Sequence, residues 1–371
     1  MVAKTTIYRI ERERIERAPI EDAASVIRAG GLVAFPTETV YGLGADAFNP
    51  TAVSKIFEAK GRPADNPLII HVAEPEDLYN LGRGLDWRGE ALVKRFWPGP
   101  LTLVVERSPD LPNITVAGLE TAAIRMPRHA VALELIKASE TPIAAPSANI
   151  SGRPSPTTAD HVIRDLVDKV DIVLDAGPTD IGVESTVLDL TTDPPLILRP
   201  GGVTLEELRE AIGVVAIHPL ARGEAKAIVE VARSPGMKYR HYSPRARVVV
   251  VVGEQEEIRL AVQRVVSYLR RVARVGVVGS GGHRYEADAL RDLGPRDDPR
   301  RAARLLFKAL RELDDEGVDM IVAEGWPEDG VGLAIMNRLR KAAGGLVIQA
   351  RSVLEEGVDV KSLLQSEIMG T

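Results

Sequence analysis

The chain has 371 residues, 45% of them hydrophobic, which is enough for two domains with a core each. It contains no cysteine, and this excludes disulfides, thiolate metal sites and cysteine nucleophiles. A net charge of -6 advertises no nucleic-acid surface, and the longest apolar run, residues 248–252, is far short of the roughly 20 residues a membrane helix needs. The amino-terminal MVAKTTIYRIERERIER is charged and lacks the apolar centre of a signal peptide, so a cytoplasmic protein is expected.

Residues 20–29 read as a helix closed by Gly30, with Ala23, Ala24, Val26 and Ile27 apolar. Residues 32–35 form a continuous apolar run, as expected of a strand covered on both faces. The stretch 35–72 organises the rest. A hydroxyl-rich turn carries Thr37, Thr39 and Tyr41, and a polar loop leads to a helix capped by Asn49, opened by Pro50 and ended by Gly61. Val53, Ile56 and Phe57 share its inward face, which leaves Lys60 and Arg62 at the open end of a fixed element. Donors held that rigidly suit a phosphate or carboxylate. The same two residues would also serve as a dipole partner for the helix end and a surface ion pair. Residues 68–72 repeat the buried-strand pattern around His71, a position that equally suits a satisfied structural histidine.

Residues 88–96 are helical, and Trp97-Pro98-Gly99-Pro100 sets a sharp entry to a strand over 101–106. A strand over 122–126 carries Arg125 beside Pro127, either as a solvated charge or as an anion ligand. After a helix over 131–138, a strand over 142–145 runs into Pro146-Ser147-Ala148-Asn149. Ser-x-Asn offers a hydroxyl and an amide at the strand's carboxyl end, the edge where open α/β sheets bind ligands, although an ordinary turn has the same composition. Strands follow over 170–175, 187–190 and 196–199, with Ser185 and Thr186 leading into the second and Arg199 ending the third. Thr204 and Glu207 form a capping box for a helix over 204–211, where the first domain closes.

Residues 213–246 lack steady periodicity and read as a linker. Lys238, Tyr239, Arg240, His241 and Tyr242, crowded between prolines, suit a segment that closes over a ligand or a solvated basic tether. Beyond it, strands over 248–252, 274–278, 320–323 and 346–349 alternate with helices over 255–272, 298–315 and 331–343, which implies a small parallel α/β domain. Gly279-Ser280-Gly281-Gly282 lacks the G-x-G-x-x-G spacing and reads as a tight strand-to-helix turn.

The runs PTETVYGLGADA, KGRPADNPLIIHV, WPGPLTLV, IRMPRH and APSANISGRPSPT, in that order, resemble the Sua5/YrdC family, and SPGMKYRHYSP resembles the linker of its longer, Sua5-type members. The family consists of threonylcarbamoyl-AMP synthases. The resemblance implies a twisted open mixed sheet with helices over 1–212, a linker and active-site lid over 213–246, and a smaller Rossmann-like parallel α/β domain over 247–371. It implies synthesis of L-threonylcarbamoyl-AMP from L-threonine, bicarbonate and ATP with release of pyrophosphate, for threonylcarbamoyladenosine modification of tRNA next to the anticodon. By the same resemblance Lys60, Arg62, Ser147 and Asn149 are catalytic and hold the ATP phosphates. Thr39, His71, Arg125, Ala145 and Ser185 would hold threonine. Asn66, Thr121, Ser155, Arg199, Ser234, Tyr239 and His241 would complete the nucleotide site. Magnesium is expected with ATP, held mainly by the nucleotide because no acidic cluster is evident. The expected recipient of the product is a tRNA threonylcarbamoyltransferase complex, with no membrane and no stable nucleic-acid partner. Lys60→Ala and Arg62→Ala are expected to depress turnover far more than folding. The alternative is an RNA-binding module of the same fold without adenylating activity.

Overall fold

The computed structural model describes residues 4–223 and 241–364, so Ser234 and Tyr239 lie outside the described residues. By its contacts the chain divides into one unit of Met1–Ser151 with Ser155–Tyr239 and a second of Gly152–Pro154 with Arg240–Thr371.

The first unit is built on strands β1 (Thr6–Arg9), β2 (Val33–Phe35), β3 (Gly42–Asp46), β4 (Ile69–His71), β5 (Gly82–Arg83), β6 (Leu101–Arg107), β7 (Thr121–Arg125), β8 (Ile143–Ala144), β9 (Ile172–Asp175), β10 (Thr186–Asp189), β11 (Leu196–Arg199) and β12 (Ala216–Ile217). Among the described residues these form one twelve-stranded mixed sheet in the order β1-β9-β2-β3-β8-β4-β7-β6-β10-β11-β12, with β5 beside β6. Strand β8 is antiparallel to both its neighbours, β3 and β4, whereas β4 and β7 are parallel. The helix Pro50–Lys60 forms as its caps dictate: the Asn49 side chain accepts from Thr51 N and Ala52 N, and Gly61 closes it at φ 60°. Its Ala52, Val53, Ile56 and Phe57 pack with Leu43, Ile70, Leu103 and Ile124 in the main core. The other face of the central strands carries a thin cluster, Ile69, Val104, Ala123, Val187 and Leu198. Polar side chains take over at both ends of that cluster, and the candidate site lies there.

In the second unit β13 (Arg247–Val252), β14 (Val275–Gly279), β15 (Ala289–Asp292), β16 (Met320–Glu324) and β17 (Val347–Gln349) form a parallel sheet in the order β15-β14-β16-β13-β17. The helix Gln255–Leu269 packs its apolar stripe on this sheet, and Asp298 caps the helix Pro299–Asp315. Two expectations are corrected. The Gly279–Gly282 turn leads to β15 and not to a helix; β15 is invisible in sequence because only Ala289 and Leu290 of its residues are apolar. The stretch read wholly as linker, 213–246, contains β12 and the short helix Pro219–Arg222, held because Ala216 N donates to Pro195 O and His218 N to Ile197 O. Among the described residues no helix is long and apolar enough to cross a membrane.

Candidate active site

Strand register assembles the site. Ile69 pairs with Ala123 and His71 with Arg125 across β4 and β7, while Leu103 faces Ile124 across β6 and β7. Because side chains alternate, Thr121, Ala123 and Arg125 share one face with Ile69 and His71, and one step beyond Leu103 puts Thr102 opposite Arg125. Strand β8 enters this face backwards, with Ala144 beside Ile70. The Ser147–Asn149 segment therefore leaves at the end of β4 opposite His71, level with Asn66 and Thr121. The sequence placed cation and hydroxyl groups at one sheet rim. The antiparallel β8 instead sets them at two ends of one face, about 13 Å apart along β7, which is four residues at about 3.3 Å each.

At one end is Lys60, the last residue of its helix and only 2% exposed. Its Nζ donates to Ser147 O and, at 2.5 Å, to Asn149 O. Ser151 N donates back to Lys60 O at 2.9 Å, and Ser147 Oγ donates to Asn149 Oδ1 at 2.6 Å, so the turn closes around the ammonium. Arg62 Nη2 lies 3.3 Å from Asn66 O and 3.4 Å from Pro67 O. The Asn66 side chain is fully buried, and neither its amide nitrogen nor its oxygen has a hydrogen-bond partner among the described residues. An orphaned buried amide is what a ligand or water position leaves behind.

Arg125 governs the other end. Its guanidinium is buried, with Nε donating to Gly99 O at 3.2 Å, Nη1 to Thr39 Oγ1 at 3.0 Å, and Nη2 lying 2.6 Å from Glu38 Oε2. Thr39 is in turn fixed by Thr37, whose Oγ1 lies 2.9 Å from Thr39 Oγ1 and donates to Val40 O. Burial first, and the Arg125 charge second, lower the His71 pKa to about 3, so its imidazole is neutral at pH 7. Ser185 Oγ is 2.7 Å from Thr102 Oγ1, and Arg199 Nη2 donates both to Ser185 Oγ at 3.0 Å and to Ser185 O at 2.9 Å. Ser155 Oγ donates to Glu184 Oε1 at 2.5 Å. Ala145 N donates to Ile69 O, which seats Ala145 between the two ends.

The structure thus brings Lys60, Arg62, Asn66, Ser147 and Asn149 together with the level of Thr121, and Thr39, His71, Arg125, Ser185 and Arg199 together at the far end. His241 belongs to the second unit, where its ring lies 5.7 Å from that of Tyr242. Sequence reading missed Glu38, Thr102 and Glu184. The available signal for Glu38 was a lone acid between two threonines directly after a buried strand. Among the described residues no group of three or more histidine, aspartate or glutamate side chains could hold a metal ion.

Fold and site together define an α/β protein with two clusters of charged and polar side chains on one sheet face. Comparison with known proteins narrows this. A profile of the Sua5/YciO/YrdC family, described as "Telomere recombination", matches residues 25–201, and one described as "Threonylcarbamoyl-AMP synthase, C-terminal domain" matches residues 203–344. The threonylcarbamoyl-AMP synthase of Pyrococcus abyssi is 55% identical over 91% of this chain and 98% of its own length; that of Bacillus subtilis is 50% identical over 89% and 94%. The solved structure of P. abyssi Sua5 complexed with L-threonine is 53% identical, covers 93% of this chain and 99% of its own, and superposes with a TM-score of 0.89. The chain belongs to the Sua5/YrdC family of threonylcarbamoyl-AMP synthases.

Proposed function

We propose that this chain makes L-threonylcarbamoyl-AMP from L-threonine, bicarbonate and ATP, releasing pyrophosphate, and that a tRNA threonylcarbamoyltransferase complex consumes the product to modify the adenosine next to the anticodon. The observation that carries the reading is the buried Arg125, clamped by Thr39, Gly99 and Glu38 on the sheet face that also bears the Lys60 corner. The naming of the P. abyssi and B. subtilis relatives supports it, as does the L-threonine complex of the former.

In the first step the neutral threonine amine bonds to the bicarbonate carbon and water departs, giving a carbamate. A carbamate oxygen then bonds to the α-phosphorus of ATP while the bond to pyrophosphate breaks. Neither step needs a protein nucleophile; both need fixed orientation, opposing charge and exclusion of water from the carbamate. Arg125 takes the threonine carboxylate. Thr39 and Ser185 present hydroxyls to the same substrate, and neutral His71 and Ala145 wall the pocket without adding charge. Lys60 and Arg62 set positive charge against the triphosphate, with Asn66, Thr121, Ser147 and Asn149 as polar contacts. Arg199 and Ser155, which also hold the Ser185 and Glu184 segment, are assigned with Ser234, Tyr239 and His241 to the nucleotide. Magnesium, when bound, neutralises phosphate charge. ATP itself would carry it. We place the reaction in the cytoplasm.

Purified protein given ATP, threonine and labelled bicarbonate should release pyrophosphate and form a labile labelled adenylate. Pyrophosphate release indifferent to threonine would overturn the reading. RNA affinity with a steep salt dependence and no ATP turnover would favour the RNA-binding alternative.

A further inference from the structure

Beside the Arg125 guanidinium lies a group of buried polar atoms that the fold leaves unsatisfied. Both carboxylate oxygens of Glu38, Arg125 Nη2 and both ring nitrogens of His129 lack hydrogen-bond partners among the described residues. Glu38 is 0% exposed, and its oxygen lies within ion-pair distance of Arg125 Nη2 but out of line for a hydrogen bond. Its position is nonetheless fixed: Asp180 N and Ile181 N donate to Glu38 O at 3.1 and 2.8 Å, and Thr37 closes the turn on its other side. Native structures leave few such atoms orphaned, and each one is costly unless something else satisfies it. A carboxylate kept purely for structure would be saturated with donors. Beyond its ion pair with Arg125, this one has no donor on either oxygen among the described residues.

We infer that Glu38 receives the ammonium group of the amino-acid substrate and takes its proton. The inference rests on the proposed reading of Arg125 as the carboxylate ligand. An α-amino acid carries its carboxylate and ammonium on the same carbon, so a site for the zwitterion needs a cation and an anion side by side. Arg125 and Glu38 are such a pair. They neutralise each other while the site is closed, and the zwitterion takes their place as mutual partner, carboxylate toward Arg125 and ammonium toward Glu38. His129, kept neutral by burial and by the Arg12 charge, brings no competing cation to Glu38. Glu38 is sealed from solvent here, so entry of the amino acid requires local opening.

The chemistry balances. One ammonium N–H bond breaks, its electron pair stays on nitrogen, and the proton passes to Glu38. The nitrogen lone pair then bonds to the bicarbonate carbon. A second nitrogen proton leaves with the hydroxyl as water, so the carbamate keeps one N–H. Glu38 returns its proton to solvent after product leaves.

The test is calorimetric titration of the full chain with L-threonine and with 3-hydroxybutanoate, which has the same carboxylate and hydroxyl but no amine. In Glu38→Gln, threonine affinity should fall about ten- to a hundredfold, the range of a lost hydrogen bond to a charged group. Affinity for 3-hydroxybutanoate should hold or rise, because Arg125 is freed of its partner. If Glu38 only positioned Arg125, both affinities would fall together, and that result overturns the inference. Glu38→Asp keeps the charge beside Arg125 and so guards against a variant that fails to fold. It should still prefer threonine but turn over at least about tenfold more slowly, as its carboxylate retreats by one methylene. Unchanged turnover in Glu38→Asp would equally overturn the inference. Wild-type protein that releases pyrophosphate without threonine would instead sink the proposed function, so the two failures are distinguishable.

Discussion

Replacing Lys60 by methionine keeps all but the last atom of the side chain's length and removes its charge. The ammonium is buried and donates to Ser147 O and Asn149 O, so the substitution takes a donor from two carbonyls in the turn that presents Ser147 and Asn149, of which Ser147 O keeps the Asn149 N–H. A stranded buried acceptor costs about 1–3 kcal/mol. Relief from burying an ammonium, itself a cost of several kcal/mol, offsets part of this. A net destabilisation of about 1–3 kcal/mol follows. For a domain of this size each kcal/mol lowers the midpoint by about 2–4 °C, so the transition should move down by about 2–12 °C. Urea unfolding with scanning calorimetry measures the stability, and threonine-dependent pyrophosphate release measures turnover; both should fall in Lys60→Met. Stability within about 0.5 kcal/mol of wild type, the range of an ordinary surface change, would refute the bracing role. The sequence expectation that Lys60 matters far more to turnover than to folding is revised for this residue, because its amino group is an internal strut of the turn as well as a charge. Arg62, partly exposed, keeps that expectation.

Acid should destabilise the first unit through two histidines. The pKa values of His71 and His129 are lowered to about 3 and about 4, chiefly by burial, while the unfolded chain binds a proton at each near 6.5. Stability is therefore complete above about pH 6.5 and is lost as pH falls toward the folded values, by roughly 2 kcal/mol per histidine at pH 5; denaturant unfolding at pH 7.5 and 5 that differs by nothing would refute neutral burial. Gly201→Ala should disturb the Ser185 turn, since a Cβ there would lie 2.3 Å from Glu184 O and 2.4 Å from Thr186 N. The expected cost is about 1–3 kcal/mol with loss of turnover, and a variant matching wild type in both would show that the approach is not tight. In the second unit, Glu324 accepts from Ser280 Oγ and Tyr285 Oη, each at 2.5 Å, and from Arg296 Nη1 at 3.2 Å. Glu324→Gln should destabilise that unit by about 1–3 kcal/mol by removing the charge opposite the half-buried Arg296, which keeps Gly325 O, visible as a shift of its own unfolding transition; an unmoved transition would refute it.

What the sequence made legible were elements whose local chemistry agrees with their tertiary role. The helix Pro50–Lys60 could be bounded to the residue because Asn49, Pro50 and Gly61 each have a backbone reason to be there, and the Thr204–Glu207 capping box formed as read. Strand β3 was passed over as loop. Its GLGAD has little β propensity, and its small residues are required from outside: a Cβ on Gly44 would come within 2.6 Å of the Ile143 side chain and 2.8 Å of Phe35. No local pattern announces a glycine whose reason lies a hundred residues away. The helix Ala159–Leu166 was missed similarly, since its Thr158 cap sits in a run of prolines and threonines that reads as loop. Among the site residues, Lys60, Ser147 and Asn149 were grouped from motifs and do meet. Glu38 was not, because a single acid has no spacing signature and its significance comes only from the arginine contributed by β7.

The direction of β8 explains why one sheet face carries two separate polar clusters. In an all-parallel arrangement the loops after β4, β7 and β8 would all emerge at one edge, and the Ser147–Asn149 turn would crowd against His71 and Arg125. Reversal of β8 sends that turn to the opposite end, where Lys60 can reach it, while Ala145 stays beside Ile69. The strip between the two ends is then lined by Ile69, Ala123 and Ala145, all three buried. Among the described residues charge sits at the two ends of this strip and apolar side chains lie in the middle. The unstable carbamate would thus form over the part of the floor that offers no protein nucleophile and holds least water, while both of its neighbours stay anchored.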